Sequence, residues 1–288
     1  MEPLLKGYSD DKKYKVETAG GDIFLLKTAA LSELGRKESE SAILKDLQKY
    51  GAACPKPVET GTIPELGLCF QVVTYIEGEE ARDVLPRLPD ELQQQAGFDA
   101  GCDLRRLHQF SAPPCIAPWY KRAAAKHERY ADAYKTCGIK IRDDERILRY
   151  IEDNLTYLKT RPDRFQHDDF HPANLVMKDG RYAGAIDFNR YDWGDPVHDF
   201  YKTALFSTEV SVPFSIGQVQ GYFGGAPAPA EFWKLYAIYA AMGIFSGIVW
   251  TLRAMPYSIE EMKTRVERIL EEHKYFEAEK PIWFPADE

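Results

Sequence analysis

This sequence of 288 residues has fewer basic than acidic side chains, no CxxC cysteine pair and no apolar run near residue 10. Each of these lacks argues against one class of protein. With 37 basic against 45 acidic side chains, the formal charge of -8 repels a polyanion, so nucleic acid is not an expected partner. The five cysteines include no CxxC pair, which favours free thiols in a reducing compartment and predicts a cytoplasmic protein. Charges recur from Lys6 to Lys15, where a signal peptide would need an apolar run.

Long hydrophobic runs are missing too, although one segment comes close to the limit. The segment from Leu235 to Trp250 contains no charge, but its 16 residues fall short of the roughly 20 that span a bilayer. Lys234 and Arg253 bound it, and no second such segment exists in the chain. We therefore predict a buried core helix and no membrane partner.

The local patterns predict a small mixed region followed by a larger helical one. Two β-prone runs flank Gly20-Gly21, a helix is predicted over 32–50, and a strand over 70–76. Helical periods follow over 92–108, 119–134, 143–159, 231–253 and 259–273. We predict an α+β fold with two lobes: a small β-rich lobe over 1–77 and a larger, mostly helical lobe over 78–288 that contains a β-hairpin.

The hairpin lies in an insert of different character, FQHDDFHPANLVMKDGRYAGAIDF over residues 165–188. Asp179-Gly180 between two short apolar runs is a strong hairpin signal. A turn centred there would pair Leu175 with Gly184. Asn174 and Asp187 would then emerge together at the open end of the hairpin.

Asp169 lies in the loop that leads to this open end, so two carboxylates and an amide oxygen converge. Oxygen ligands of this kind suit Mg²⁺, which takes one or two protein carboxylates while phosphates and water complete its coordination. A further carboxylate beside such a metal could orient a hydroxyl for attack on a phosphoryl group. The arrangement predicts phosphoryl transfer.

Motifs spread along the chain occur in an order that is typical of one enzyme family. HDDFHPAN over 167–174, IDF over 186–188 and GDPVHD over 194–199 are joined by LLK over 25–27 and by the segments 7–14, 40–47 and 104–108. Together they resemble the HGDxxxxN, IDF and GDPxxD pattern of the aminoglycoside phosphotransferase family. That family has the protein-kinase-like fold and choline kinases as relatives. The resemblance covers most of residues 4–250.

The resemblance implies catalytic and metal-binding roles for three residues of the insert. Asp169 matches the catalytic aspartate that orients the acceptor hydroxyl. Asn174 and Asp187 match the two Mg²⁺ ligands. The implied cofactors are ATP and Mg²⁺, with GTP as an alternative nucleotide.

The same resemblance implies a nucleotide site in the first lobe. Lys27 matches the lysine that contacts the phosphates, and Glu40 matches its ion-pair partner. The linker residues Thr74 and Ile76 would bind the adenine edge through their backbone. Ser9 is the candidate for a loop contact to phosphate, although its loop lacks a GxGxxG pattern.

One residue departs from the family pattern inside the catalytic loop. Asp168 stands where the family usually has glycine, which adds a carboxylate next to Asp169. An extra negative charge there would either raise the pKa of Asp169 or favour a cationic substrate, and the sequence leaves both open.

The acceptor implied by the resemblance is a small molecule with a hydroxyl group, and an aminoglycoside-type antibiotic is favoured. Residues 1–77 carry a net charge of -2 and the remainder -6, which is the distribution a cationic acceptor would prefer. The alternative is a metabolite kinase that acts on choline, ethanolamine, another amino alcohol or a sugar. A third hypothesis is a nucleotide-binding sensor without turnover, which would be expected to have lost one of the motif residues.

Several of these polar residues also have simpler interpretations. His167 and His171 are four apart, as zinc ligands on a helix can be, but Pro172 follows at once, so His167 is predicted to support the loop by hydrogen bonding. Asp195 before Pro196 is predicted to cap a helix, with no catalytic role.

Overall fold

The structure is a computed structural model that describes residues 1–4 and 11–286. Its strands are β1 (Glu2–Leu4), β2 (Lys12–Glu17), β3 (Ile23–Ala30), β4 (Pro57–Ile63), β5 (Leu68–Thr74), β6 (Glu79–Glu80), β7 (Arg164–Gln166), β8 (Leu175–Lys178), β9 (Arg181–Ala185) and β10 (Asp192–Gly194). Its helices are α1 (Leu34–Leu47), α2 (Ala81–Val84), α3 (Asp90–Leu107), α4 (Trp119–Thr136), α5 (Asp144–Asn154), α6 (Thr208–Val210), α7 (Val212–Tyr222), α8 (Ala230–Ala254) and α9 (Ile259–Glu272).

The first five strands form one antiparallel sheet in the order β1-β2-β3-β5-β4. β2 and β3 form the predicted hairpin around Gly20-Gly21, and β3 pairs with β5 so that Lys27 lies opposite Gln71. Helix α1 packs on β4 and β5. The later residues are mostly helical, so the predicted α+β class is confirmed. The boundary at residue 77 stays a prediction.

Strand β4 was not predicted from the sequence, and its composition explains why. The segment PVETGTI contains proline and glycine, which weaken a strand signal. β4 lies at the edge of the sheet, where proline is tolerated. Gly61 pairs with Phe70, and a Cβ atom on Gly61 would lie 2.9 Å from Cζ of that ring. The glycine therefore makes room for the aromatic side chain.

The hairpin of β8 and β9 forms around Asp179-Gly180 as predicted, but its register differs. Leu175 lies opposite Ala185, not Gly184, because the register shifts by one residue next to Met177. Gly184 has a φ of 154°, and a Cβ atom there would lie 2.5 Å from the carbonyl oxygen of Ala53. Glycine at position 184 therefore lets β9 approach the segment after α1. There the backbone amide of Ala185 donates to the Ala53 carbonyl oxygen at 2.9 Å.

Helix α8 is the core helix predicted for the uncharged segment. It packs against α4, α5 and α9, and Tyr236, Ala240, Ile244 and Ile248 are fully buried. Among the described residues it is the one helix long and apolar enough to cross a membrane, yet 72% of its most apolar window is buried inside the protein.

Helices α3 and α7 approach each other more closely than ordinary side chains would allow. Gly97 and Gly101 on α3 face Gly217 and Gly221 on α7, and a Cβ atom on any of them would lie 2.1 Å or less from a backbone oxygen of the other helix. The sequence analysis missed α7 because its glycines weaken the helix signal. Here they permit direct backbone contact between the helices.

Gly221→Ala should therefore destabilise the protein, because the added methyl would lie 1.9 Å from the Phe98 carbonyl oxygen. We expect the free energy of unfolding to fall by at least about 2 kcal/mol, as overpacking typically costs. Gly35→Ala is the control, since Gly35 lies in α1 with nothing within 4 Å of its Cβ position. Urea unfolding followed by circular dichroism measures both variants. Equal effects would contradict the close approach.

Candidate active site

The loop from Gln166 to Asn174 is held by a buried carboxylate, Asp199. The amides of His167 and Asp168 donate to its two oxygens at 2.8 and 2.7 Å. The ring of His108, at the end of α3, lies 3.0 Å from Asp199 Oδ2. Charge-assisted hydrogen bonds to Asp199 therefore fix the loop backbone at His167 and Asp168.

Asp168 has the left-handed backbone conformation, with a φ of 57°. Glycine adopts this conformation without steric cost, and aspartate is one of the few other residues that tolerate it. The side chain lies 3.7 Å from Lys126 Nζ and 3.5 Å from His198 Nδ1. Burial raises the pKa of Asp168, while Lys126 and Lys202 oppose that rise.

Asp169 is clamped by three side chains. The side-chain Nδ2 of Asn174 donates to Asp169 Oδ2 and to the Asp169 carbonyl oxygen, both at 2.9 Å. Lys202 Nζ lies 2.8 Å from Oδ1, and the His171 ring lies 3.4 Å from it. Burial alone would raise the pKa of Asp169, but Lys202 and His171 outweigh it and hold that pKa well below its usual value. Asp169 therefore remains ionised. One of the two effects expected of Asp168 was a rise in the pKa of Asp169, and the structure gives the opposite direction.

Asn174 and Asp187 meet at the open end of the hairpin, as predicted. The Ile186 amide donates to the Asn174 carbonyl oxygen at 2.9 Å, which ties the two strand ends together. Asp187 Oδ1 is buried and has no hydrogen-bond partner among the described residues, and Lys13 Nζ is 4.0 Å from Oδ2. A buried carboxylate oxygen without a donor is suited to ligate a cation, so the pair fits a hard metal ion.

The two charged residues that were predicted for the nucleotide site also lie together. Lys27 Nζ on β3 is 2.7 Å from Glu40 Oε1 on α1, and both side chains are buried. The second oxygen of Glu40 has no partner among the described residues. Such a desolvated pair holds the lysine in one place.

The other three residues predicted for the nucleotide site are Thr74, Ile76 and Ser9, and the structure gives contacts for the first two. Thr74 ends β5, where its amide donates to the Lys56 carbonyl oxygen and its hydroxyl accepts from the Lys56 amide. Ile76 follows in the connecting segment, with its Cδ1 atom 2.9 Å from the position of a Cβ on Gly184. Ser9 lies outside the described residues. The roles of these three residues stay predictions.

A cavity of about 440 Å³ opens beside Asp169, and Asp168, His171 and Lys202 also line it. Its volume is in the range of small-molecule sites. Four aromatic residues of the larger region line it, namely Tyr130, Tyr201, Phe206 and Trp250, whereas Trp119 and Tyr236 pack in the core.

Lys202 is the functional candidate that the sequence analysis missed. It is 9% exposed, close to Asp169, and its pKa is raised because nearby acidic groups, Tyr201, Asp169 and Asp168, outweigh the effect of burial. Lysine side chains are seldom buried, so a solvated position was the default expectation. Its place three residues after the GDPVHD motif was the one available signal.

The simpler interpretations of the polar residues agree with the structure. His167 Nε2 lies 3.0 Å from the Ile186 carbonyl oxygen, so this ring supports the loop. The described residues contain no group of three or more His, Cys, Asp or Glu side chains that could hold a metal ion. Asp195 accepts from the Val197 amide at 3.1 Å and caps the short helical turn after it. All five cysteines are free thiols.

The fold and this site define a class. A model of the phosphotransferase enzyme family matches residues 1–233, and the chain belongs to that family. It is a kinase, an enzyme that transfers a phosphoryl group to a hydroxyl. A search of curated proteins found no match.

Three solved structures show how widely the fold is shared. The GDP complex of aminoglycoside 2'-phosphotransferase-IIIa is 16% identical, with 93% of this chain and 91% of the other covered and a TM-score of 0.67. The amicoumacin kinase hAmiN in complex with AMP-PNP, Ca²⁺ and Ami is 14% identical, with 99% of this chain and 90% of the other covered and a TM-score of 0.65. A choline/ethanolamine kinase family protein from Mesorhizobium loti is 17% identical, with 97% of this chain and 91% of the other covered and a TM-score of 0.67. At such identities the likeness establishes the fold and does not name the acceptor.

The contact between Lys202 and Asp169 should be energetically coupled, because removing either partner leaves a largely buried charge. In a double-mutant cycle with Lys202→Met and Asp169→Asn, we expect a coupling energy of about 1–3 kcal/mol in urea unfolding. The exposed pair Lys178 and Glu77, 3.2 Å apart, is the control, with less than about 1 kcal/mol expected. Similar coupling in both pairs would contradict a special role of burial at Asp169.

Proposed function

We propose that this protein is an ATP- and Mg²⁺-dependent kinase that phosphorylates a hydroxyl group of a small molecule. The observation that carries this proposal is the clamped, ionised Asp169 at the wall of a cavity of about 440 Å³. Asn174 joins it at 2.9 Å, and Asp187 lies at the same end of the hairpin. GTP is the alternative nucleotide.

In this proposal each motif residue has one task. Asn174 and Asp187 would hold Mg²⁺, which when bound neutralises phosphate charge. Lys27, fixed by Glu40, would contact the nucleotide phosphates. Thr74, Ile76 and Ser9 are proposed to complete the nucleotide site.

Asp169 would accept a hydrogen bond from the acceptor hydroxyl and orient that oxygen for in-line attack on the γ-phosphorus. The bond from phosphorus to the acceptor oxygen forms as the bond to the leaving nucleotide oxygen breaks, and Asp169 takes up the hydroxyl proton. Positioning and charge stabilisation supply most of the rate in this chemistry.

We further propose that residues 1–77 form the nucleotide lobe and residues 78–288 the acceptor lobe. The last residue of the five-stranded sheet is Thr74, which supports a boundary close to residue 77. The cavity beside Asp169 is lined entirely by residues from Arg82 onward. The free cysteines support a cytoplasmic location.

For the acceptor, a small metabolite that is not a polycation is the first candidate and an aminoglycoside is the second. Four carboxylates line the cavity, but so do five lysine and arginine side chains. A polycation needs an excess of carboxylates in its site, and this cavity has none. The antibiotic kinases among the similar structures keep the second candidate in the experiment.

Asp169→Asn should lower kcat by a factor of about 10²–10⁴, because the amide cannot take up the hydroxyl proton. The assay measures ADP release with choline, ethanolamine, a sugar, gentamicin and the hydroxy acid phenyllactate as acceptors. Nucleotide binding, measured with a fluorescent ATP analogue, should persist.

Asp179→Asn is the matched control, since Asp179 is an exposed carboxylate at the far end of the same hairpin. We expect it to retain wild-type turnover. Nucleotide binding without turnover for every acceptor, and no effect of Asp169→Asn on any ATP hydrolysis, would favour the sensor over the kinase.

A further inference from the structure

Every carboxylate of the cavity has a cationic partner within the cavity itself, and Arg265 serves two of them. Each of the four lies within 4.0 Å of a basic side chain that also lines it. The pairs are Asp168 with Lys126 (3.7 Å), Asp169 with Lys202 (2.8 Å), Glu209 with Arg265 (2.5 Å) and Glu261 with Arg265 (2.6 Å). An incoming ammonium group would have to compete with these internal cations.

One lining cation is left without a carboxylate partner. Arg190 is exposed, lies three residues after Asp187, and has no carboxylate within 4.0 Å in the described part of the chain. Its guanidinium carbon lies 5.5 Å from the ring centre of Trp250, which also lines the cavity. Arg82, the other lining arginine outside the four pairs, is satisfied by Glu80 at 2.7 Å. Arg265 also lies against a lining ring, Phe206, at 5.3 Å, but it is paired with Glu209 and Glu261. Among the described residues, Arg190 is therefore the lining guanidinium that lies against an aromatic face without a carboxylate partner.

Much of the remaining lining is apolar. The side chains that provide it are Leu205, Phe206, Val210, Trp250, Met255 and Met262. A surface of this kind binds a hydrocarbon or aromatic body by removing it from water. A densely hydroxylated polycation would gain less from this apolar part of the wall, because such side chains offer its polar groups no hydrogen-bond partners.

We propose that the acceptor is a hydroxy compound with an apolar body and one carboxylate, and that Arg190 binds that carboxylate. This inference rests on the proposed kinase function and names its substrate class. A planar guanidinium matches a carboxylate with two parallel hydrogen bonds, and Trp250 fixes the plane of the group. The apolar wall takes the body, and Asp169 takes the hydroxyl.

Three acceptors that differ in one group test the proposal: phenyllactate, its amide phenyllactamide, and the amino alcohol in which an aminomethyl group replaces the carboxylate. Binding is measured by calorimetry in the presence of AMP-PNP and Mg²⁺, and turnover by ADP release. Phenyllactate should bind at least about tenfold more tightly than the amino alcohol, as expected for one charge-assisted pair. Equal or tighter binding of the amino alcohol, or no binding of any of the three, overturns the proposal.

Arg190→Gln should raise the KM for phenyllactate about tenfold or more and leave the KM for ATP unchanged. Arg190→Glu should reverse the preference toward the amino alcohol. Arg253→Gln, an exposed arginine on the same helix as Trp250 that does not line the cavity, is the control and should behave as wild type. An unchanged acceptor preference in Arg190→Glu overturns the proposal.

The two proposals fail in different ways. If Asp169→Asn has no effect on ATP turnover, the proposed catalytic site around Asp169 is wrong. If turnover depends on Asp169 but prefers an aminoglycoside or the amino alcohol, the kinase assignment stands and only the acceptor class is wrong.

Discussion

The site depends on Asp199, a buried carboxylate that never faces the cavity in the described structure. It receives hydrogen bonds from the amides of His167 and Asp168 and contacts the ring of His108. Burial alone would raise the pKa of Asp199, but these donors outweigh it and hold the pKa below its usual value. The ionised carboxylate thus keeps the loop backbone in one conformation, including the left-handed residue before Asp169. A short loop without this anchor would not keep Asp169 at one place.

Net charge and local charge lead to different conclusions about the acceptor. The -8 of the whole chain acts through solvent and influences encounter at distances comparable to the Debye length. Inside the cavity, each carboxylate meets a lysine or arginine within 4.0 Å, so the acidic surplus lies elsewhere on the molecule. A bound acceptor interacts mainly with these nearby ion pairs, because distant charges are screened by solvent and salt. The charge of the larger region thus predicted a cationic acceptor, whereas the local pairs support the carboxylate-bearing acceptor proposed above.

The parts of the site that could be predicted are those that local sequence controls. Asn174 and Asp187 meet because a tight turn at Asp179-Gly180 folds one strand back on the other. The register was wrong by one residue because Gly184 approaches the carbonyl of Ala53, a contact between segments far apart in the chain. Strand β4 and helix α7 were missed for a related reason, since their glycines serve packing against a neighbour.

The sequence by itself determined the α+β class, the hairpin, the family, and the convergence of Asn174 and Asp187 with the loop of Asp169. Motif spacing and turn chemistry suffice for these, since they act over a few residues. Only the tertiary structure decided that Lys202 is buried against Asp169 and that Arg190 lies beside Trp250 with no carboxylate partner among residues 1–4 and 11–286. The burial and pairing of a charge depend on which distant elements pack around it, and no local pattern records that packing.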